Sequence, residues 1–257
     1  MDRSEPQQGQ ISAEVVAGVA TVVIGNPEKR NAMTAAMWRA LPEVLERLAH
    51  DVEVRALVLT GARSTFCAGA DISSLRERAT VAGEDPQSLA VRAEEALAAF
   101  PKPTLAAVRG YCVGGGCQLA AACDLRFAEE GASFGVTPAK LGIVYPASST
   151  RRLVSLVGPA AAKYLLFSGE LIGTDRALRT GLVDEVLPEG ELGKRVAEFT
   201  RVLTSRSQLT QAAAKEFASG RTDRDAYWAE QARGSGDTAE GVAAFLERRT
   251  PRFTWTV

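Results

Sequence analysis

The sequence predicts an α/β protein with a helical region appended at its C-terminal end. Three observations carry that expectation. Runs rich in β-branched residues alternate with apolar residues at helical spacing over residues 11–190. Helical patterns dominate after that. The chain, 257 residues with 46% hydrophobic and 24% charged, has the composition of an ordinary globular protein.

Ser12–Ala17 and Val19–Ile24 flank Gly18 and read as a hairpin-like strand pair. A polar loop, Asn26–Asn31, follows. Thr34 offers an N-cap to a helix that buries Met37, Ala40, Leu41, Val44, Leu45 and Leu48, and Pro42 inside it is expected to kink or locally weaken it. Val54–Leu59 is an apolar strand and Thr60–Asp71 a loop. Residues 78–87 read as a mobile connection to a helix from Ser88 to Ala99, which Pro101 and Pro103 end. Thr104–Val108 is the next strand, Gly110–Gly116 a glycine-rich turn, and Cys117–Cys123 the helix it opens. Leu125–Ala128, Ser133–Phe134 and Val183–Leu187 are short strands. From Thr150 the pattern is mainly helical, punctuated by Gly158-Pro159, Gly169 and Gly181, with helix starts at Thr174 and Ser235-Gly236-Asp237. Residues 1–10 read as a disordered tail, 11–190 as a core and 191–257 as a helical region.

Thirty Lys and Arg against 31 Asp and Glu leave a net charge of −1, which argues against a general electrostatic grip on nucleic acid. No stretch has the ~18 apolar residues of a membrane span, and the first residues lack the apolar core of a signal peptide. Cys67, Cys112, Cys117 and Cys123 form no CxxC pair and read as small buried hydrophobes of a reducing cytoplasm. The one histidine, His50, reads as a cation at a helix C-terminus. Imidazole is therefore not expected to drive the chemistry, and no metal site is expected.

The strongest chemical signal is a pair of glycine-bearing turns, each at a strand end. One is Phe66-Cys-Ala-Gly-Ala-Asp71; the other is Gly110-Tyr-Cys-Val-Gly-Gly-Gly-Cys-Gln-Leu119, which opens a helix. Free N–H groups at a helix start favour developing negative charge, and glycine lets a ligand approach them. Two such groups aimed at one carbonyl oxygen make an oxyanion hole. Taken alone, Gly114-Gly115-Gly116 fits a tight turn or a phosphate loop equally, although the GxxxxGK[ST] pattern is absent.

With these turns in place, the chain resembles the crotonase family, also called the enoyl-CoA hydratase/isomerase family. The resemblance rests on Asn26-Pro-Glu-Lys-Arg-Asn-Ala32, Leu57-Val-Leu-Thr-Gly61, Phe66-Cys-Ala-Gly-Ala-Asp-Ile72, Lys102-Pro-Thr-Leu-Ala-Ala-Val-Arg-Gly110, Gly114-Gly-Gly116, Cys123-Asp-Leu-Arg-Phe-Ala128, Phe134-Gly135, Gly181-Leu-Val183 and Glu240-Gly-Val-Ala-Ala-Phe-Leu-Glu-Arg-Arg249. It implies a ClpP/crotonase-like spiral of ββα units whose C-terminal helices, 191–257, assemble a homotrimer or a dimer of trimers in the cytoplasm. The implied substrate is an acyl-CoA thioester, with coenzyme A as its carrier and no separate cofactor. The implied oxyanion donors are the N–H groups of Ala70 and Gly115. Lys29, Arg30 and Ala32, with Ala68, Asp71 and Ile72, fall in loops that lie along CoA in relatives, and a structural residue that ties down its own loop is the alternative reading of Asp71. Arg248 matches a basic position that in some relatives reaches a neighbouring subunit's CoA. Solvated surface charge is the alternative reading of the three cations.

Two positions depart from the family pattern. Hydratases use two carboxylates around one water; here the first position holds Gln118 and the second Pro138. Neither side chain can take and return a proton at neutral pH. Thr137-Pro138 reads instead as an N-cap and first helical residue. Tyr145, in a stretch similar to one in methylmalonyl-CoA decarboxylases of the family, is the candidate polar group, with an aromatic pocket wall as the alternative. Glu94 and Glu95 are further acids near which some relatives place pocket residues. Asp124 reads as a packing residue at a helix end. Three functions follow: an enolate-stabilising hydratase/isomerase-type enzyme, a decarboxylase of malonyl-type thioesters, or a silent acyl-CoA-binding subunit.

Overall fold

The computed structural model describes residues 9–71 and 85–256. β1 (Gln10–Val16) and β2 (Val19–Gly25) form the expected antiparallel hairpin. Ala17 and Gly18 turn it with φ of 49° and 80°, the two-residue turn that matches strand twist. Gln10 belongs to β1, and the Gly9 N–H donates to Gly25 O. The expected tail therefore gives way to paired backbone before residue 10; residues 1–8 lie outside the described residues.

β3 (Ala56–Gly61), β4 (Thr104–Val108), β6 (Leu125–Glu129) and β9 (Glu185–Leu187) extend the hairpin into a six-stranded sheet of order β1-β2-β3-β4-β6-β9. Every pairing beyond the hairpin is parallel. β4, Thr-Leu-Ala-Ala-Val, is buried along its whole length, as a central parallel strand must be. A smaller sheet joins β5 (Tyr111–Val113), β7 (Ser133–Gly135) and β8 (Ile172–Gly173). β5 lies inside the segment read from sequence as a turn only. Isolated bridges Met33–Ala70 and Cys67–Cys112 continue its pairing toward the N-terminus.

The chain repeatedly leaves the large sheet, touches the small one and enters a helix. β2 leads through Met33 into α1 (Ala35–His50). β4 leads through β5 into α3 (Gly115–Ala122), and β6 through β7 into α4 (Ala147–Ser168). β3 leads through Cys67 and Ala70 toward α2 (Pro86–Ala98). That is the spiral of ββα units. α5 (Thr174–Thr180), α6 (Leu192–Thr204), α7 (Gln208–Ala218), α8 (Asp225–Ser235) and α9 (Asp237–Leu246) complete it.

Strand parity divides the core. Leu57, Leu59, Ala106 and Val108 face α1, α2 and α3, whereas Val58, Leu105, Ala107 and Phe127 meet Leu192, Val196 and Phe199 of α6. Thr34 caps α1, its Oγ1 accepting from Met37 N at 3.3 Å. α1 runs unbroken through Pro42. One backbone bond is lost there, while Trp38, Leu41 and Leu45 on either side are held in the core. His50 ends the helix, as expected. The buried ammonium of Lys102 donates to Ala49 O and Asp51 O at 3.0 and 2.7 Å and satisfies carbonyls the helix end leaves open.

α2 starts two residues earlier than its periodicity suggests. Asp85 accepts from Gln87 N and Ser88 N, with Pro86 in the first turn. Asp85–Gln87 are thus a helix start rather than part of a connection; residues 78–84, and Ile72, lie outside the described residues. α3 likewise begins at Gly115, not Cys117, which makes the Gly115 N–H the first of that helix. Gly158, at φ 74°, breaks the helical backbone inside α4.

Candidate active site

The two glycine turns meet. A Cβ on Gly69 would lie 3.0 Å from Val113 O and 3.5 Å from Gly115 N. A Cβ on Gly116 would lie 2.3 Å from Cys67 O, so only glycine allows this approach. Gly69 and Gly114 hold φ of 102° and 57°, where β-carbons are strained. Neighbouring amides are spoken for: Gly114 N–H donates to Gly135 O, Ala68 N–H to Arg30 O and Asp71 N–H to Met33 O. Among the described residues, nothing accepts from the N–H groups of Ala70 or Gly115. Ala70 is exposed and Gly115 partly so. The Trp38 ring backs Gly115, 3.0 Å from where its Cβ would be.

A third loop is pinned against them by two buried asparagines. Asn26 N–H donates to Asn31 Oδ1, and Asn26 Nδ2 to Ala32 O. Asn31 Nδ2 donates to Ala62 O and Thr65 O. The Asn26–Asn31 stretch, whose asparagines the sequence marked simply as polar loop residues, is therefore a clamp. Lys29 Nζ lies 2.8 Å from Asp71 Oδ2, tying this loop to the Ala70 turn. Arg30 sits over the Tyr111 ring at 4.9 Å. Ala32 is buried and Ala68 half-buried beside them. The site loops thus bring together Lys29, Arg30, Ala32, Ala68, Ala70, Asp71 and Gly115. Arg248 stands apart: it is exposed beyond α9, and its side chain makes no hydrogen bond or ion pair among the described residues.

Behind the turns lies a second group of side chains. Gln118, one turn into α3, is 1% exposed, and both its Oε1 and Nε2 are buried without a partner among the described residues. An orphaned buried amide costs about 1–3 kcal/mol until something meets it. Pro138 opens a short 3-10 turn, Pro138–Lys140; Thr137 precedes it but makes no side-chain cap. Tyr145 Oη and Thr137 Oγ1 each lie 3.8 Å from the point a Gly114 Cβ would occupy. The hydroxyls of Tyr145 and Thr137 therefore flank the glycine turn. Burial, with the Cys117 thiol and Glu94 nearby, holds the Tyr145 phenol well above its usual range, so it stays protonated.

Glu94, on α2, is only 4% exposed. Its Oε2 accepts from Ser149 Oγ at 2.5 Å and faces Arg152 at 3.5 Å. Burial pushes its carboxyl up to about 7, against the lowering effects of Ser149 and Arg152. Glu95 is exposed and binds the other arm of Arg152 at 2.9 Å. Asp124 packs as expected: its Oδ2 accepts from Thr104 and from Lys215 Nζ. The four cysteines are buried and free, and burial pushes the Cys67 thiol up to about 12. No described helix is long and apolar enough to cross a membrane.

Comparison with known proteins supports the same assignment. The family model described as enoyl-CoA hydratase/isomerase matches residues 14–255. The short-chain-enoyl-CoA hydratase of Clostridium acetobutylicum is 34% identical over 240 residues, 90% of this chain and 92% of that protein. The 2,3-dehydroadipyl-CoA hydratase of Escherichia coli K12 is 35% identical over 246 residues, covering 91% and 94%. A crystal structure described as an enoyl-CoA hydratase/isomerase family member superposes with a TM-score of 0.89 at 40% identity, covering 99% of this chain and 100% of that one. The Bacillus anthracis enoyl-CoA hydratase superposes at 0.85 with 32% identity, covering 95% and 98%.

Proposed function

The chain belongs to the enoyl-CoA hydratase/isomerase family of acyl-CoA enzymes, and from that premise we propose that it stabilises a thioester enolate. The observation that carries this reading is the pair of uncommitted N–H groups, Ala70 and Gly115, on turns packed against each other. A thioester oxygen set between them accepts two hydrogen bonds as it gains charge. Each such donor is worth roughly 100- to 1,000-fold in rate. The first N–H of α3 adds the positive end of that helix. Lys29, Arg30, Ala32, Ala68, Asp71 and Ile72 would border the CoA moiety.

The usual pair of acid–base carboxylates is missing at Gln118 and Pro138, so the reaction differs from simple hydration by that pair. Gln118 would orient the acyl group through its uncommitted amide. One observation favours a second reading, decarboxylation of a malonyl-type thioester. Tyr145 presents a neutral hydroxyl beside Gly114, suited to meeting a carboxylate or returning a proton. In that step the C–CO2 bond breaks, its electron pair enters the enolate, and a proton from the phenol or water ends on the α-carbon.

Assembly into a homotrimer or a dimer of trimers fits the exposed Val242, Phe245 and Leu246 of α9, beside which Arg248 could reach a neighbouring CoA. A mass-spectrometric screen of enoyl-, hydroxyacyl- and malonyl-type CoA thioesters tests the function. Turnover of one class assigns the reaction. Tight binding of every thioester with no turnover leaves the silent-subunit reading.

A further inference from the structure

We infer that Glu94, held by Ser149 and Arg152 beside Tyr145, is the group that moves the proton at the substrate α-carbon. The inference rests on the enolate reading above and deepens it. An enolate site needs a base to make the enolate or an acid to quench it, and the two usual positions offer neither. Glu94 is a deeply buried carboxylate on α2, the helix packed against α3.

Four features converge on it. It projects from α2, which packs against α3, the helix that supplies Gly115 and Gln118. Only its Oε2 is engaged, by Ser149 and Arg152; Oε1 accepts nothing among the described residues. It lies within electrostatic reach of the Tyr145 phenol, whose oxygen flanks Gly114. Its carboxyl titrates at about 7, where both of its forms are populated at neutral pH.

The surroundings set that titration. From α4 come Ser149 and Arg152, which favour the anion. Glu95, on its own helix, opposes it. The preceding loop brings the Tyr145 phenol, which is neutral at this pH. α1, packed against α2, buries only apolar side chains, Trp38, Leu41 and Leu45 among them. In the forward step the carboxylate takes the α-hydrogen as a proton. The C–H pair moves into the enolate, and its charge settles on the oxygen under Ala70 and Gly115. The reverse step returns the proton to the carbon. After loss of carbon dioxide, the same acid would supply the proton directly.

Deuterium incorporation at the α-carbon of acetyl-CoA and butyryl-CoA, followed by mass spectrometry in deuterated buffer, tests this without knowledge of the natural acyl group. Exchange by the wild type should rise with pH through a midpoint near 7. Glu94→Gln should lower it roughly 100-fold or more while butyryl-CoA binding is retained. Ser149→Ala should shift the midpoint upward, since a hydrogen bond to the anion is lost. Glu95→Gln should shift the midpoint downward, since a like charge beside Glu94 is removed. Should Glu94→Gln fail to fold, an unmoved midpoint in Ser149→Ala overturns the assignment. So does equal exchange in wild type and Glu94→Gln, or binding without exchange in the wild type; each leaves the oxyanion site standing. A wild type that binds neither thioester overturns both readings.

Discussion

Replacing Gly116 with alanine perturbs the tightest contact between the paired turns. The added carbon would sit 2.3 Å from Cys67 O and 2.8 Å from Cys67 Cβ. The first is about 1 Å short of ordinary van der Waals contact. Neither neighbour is the free end of a flexible side chain. The Cys67 carbonyl also accepts from Val113 N at 2.9 Å, and its own N–H donates to Tyr111 O, so it cannot retreat without opening β5. Overpacking of this kind costs about 1–3 kcal/mol or more. At roughly 2–4 °C per kcal/mol for a chain of this size, the melting temperature should fall by about 2–12 °C. The relief that remains is to push α3 away and carry the Gly115 N–H off its line with Ala70. A misplacement near 1 Å costs on the order of 100-fold in rate. Thermal melts by circular dichroism and the α-exchange assay read both effects. Gly115→Ala, whose Cβ meets the edge of Trp38 at 3.0 Å, should be milder in the melt. A Gly116→Ala protein that melts with the wild type and exchanges as fast refutes the reasoning.

Other perturbations should behave as follows. Glu94 titrates near 4.5 unfolded and near 7 folded, so between those values the folded state holds more protons and stability falls as pH rises. Its contribution is fully present below pH 4.5 and lost through 7. Glu94→Gln should therefore gain in relative stability with pH, by up to about 3 kcal/mol, in urea melts at pH 5 and 8. A gap that does not grow with pH contradicts this. Asn31→Ala removes an acceptor and two donor bonds at a left-handed residue and should cost about 2–4 kcal/mol in the same assay, with weaker acyl-CoA binding. A loss under 1 kcal/mol would show the clamp is dispensable. Gly234→Ala, in exposed α8 with nothing near its new Cβ, should raise stability by about 0.5–1 kcal/mol; a lower melting temperature would contradict that.

Local signals of short range were the readable ones. Gly18 between β-branched runs, Thr34 before an apolar helical stripe, and the glycines of the two turns each act within a few residues. Elements held by distant partners were harder. β5 is three residues long and exists because β7 and Cys67 pair with it, which no periodicity records. Asp85-Pro86 carries a cap signal, yet the same dipeptide reads equally well as a turn. Pro42 announces a kink or a weakening, and α1 nevertheless stays continuous where Trp38 and Leu45 pack into the core. At the site, glycine spacing and a helix start marked the two turns, and the family resemblance singled out the Ala70 and Gly115 N–H groups within them. Trp38 beneath Gly115, Thr137 beside Gly114 and the reach of Asn31 to Ala62 were not, since each depends on chain folding back from elsewhere. Glu94 was visible as an acid on a helix. Its pairing with Ser149, 55 positions away in sequence, is what gives it a place.

A crystal structure with butyryl-CoA bound is the most direct measurement of the central claim. The thioester oxygen should lie about 2.7–3.1 Å from both the Ala70 and the Gly115 nitrogen. An oxygen that engages neither nitrogen, or a thioester seated away from the paired turns, would contradict it.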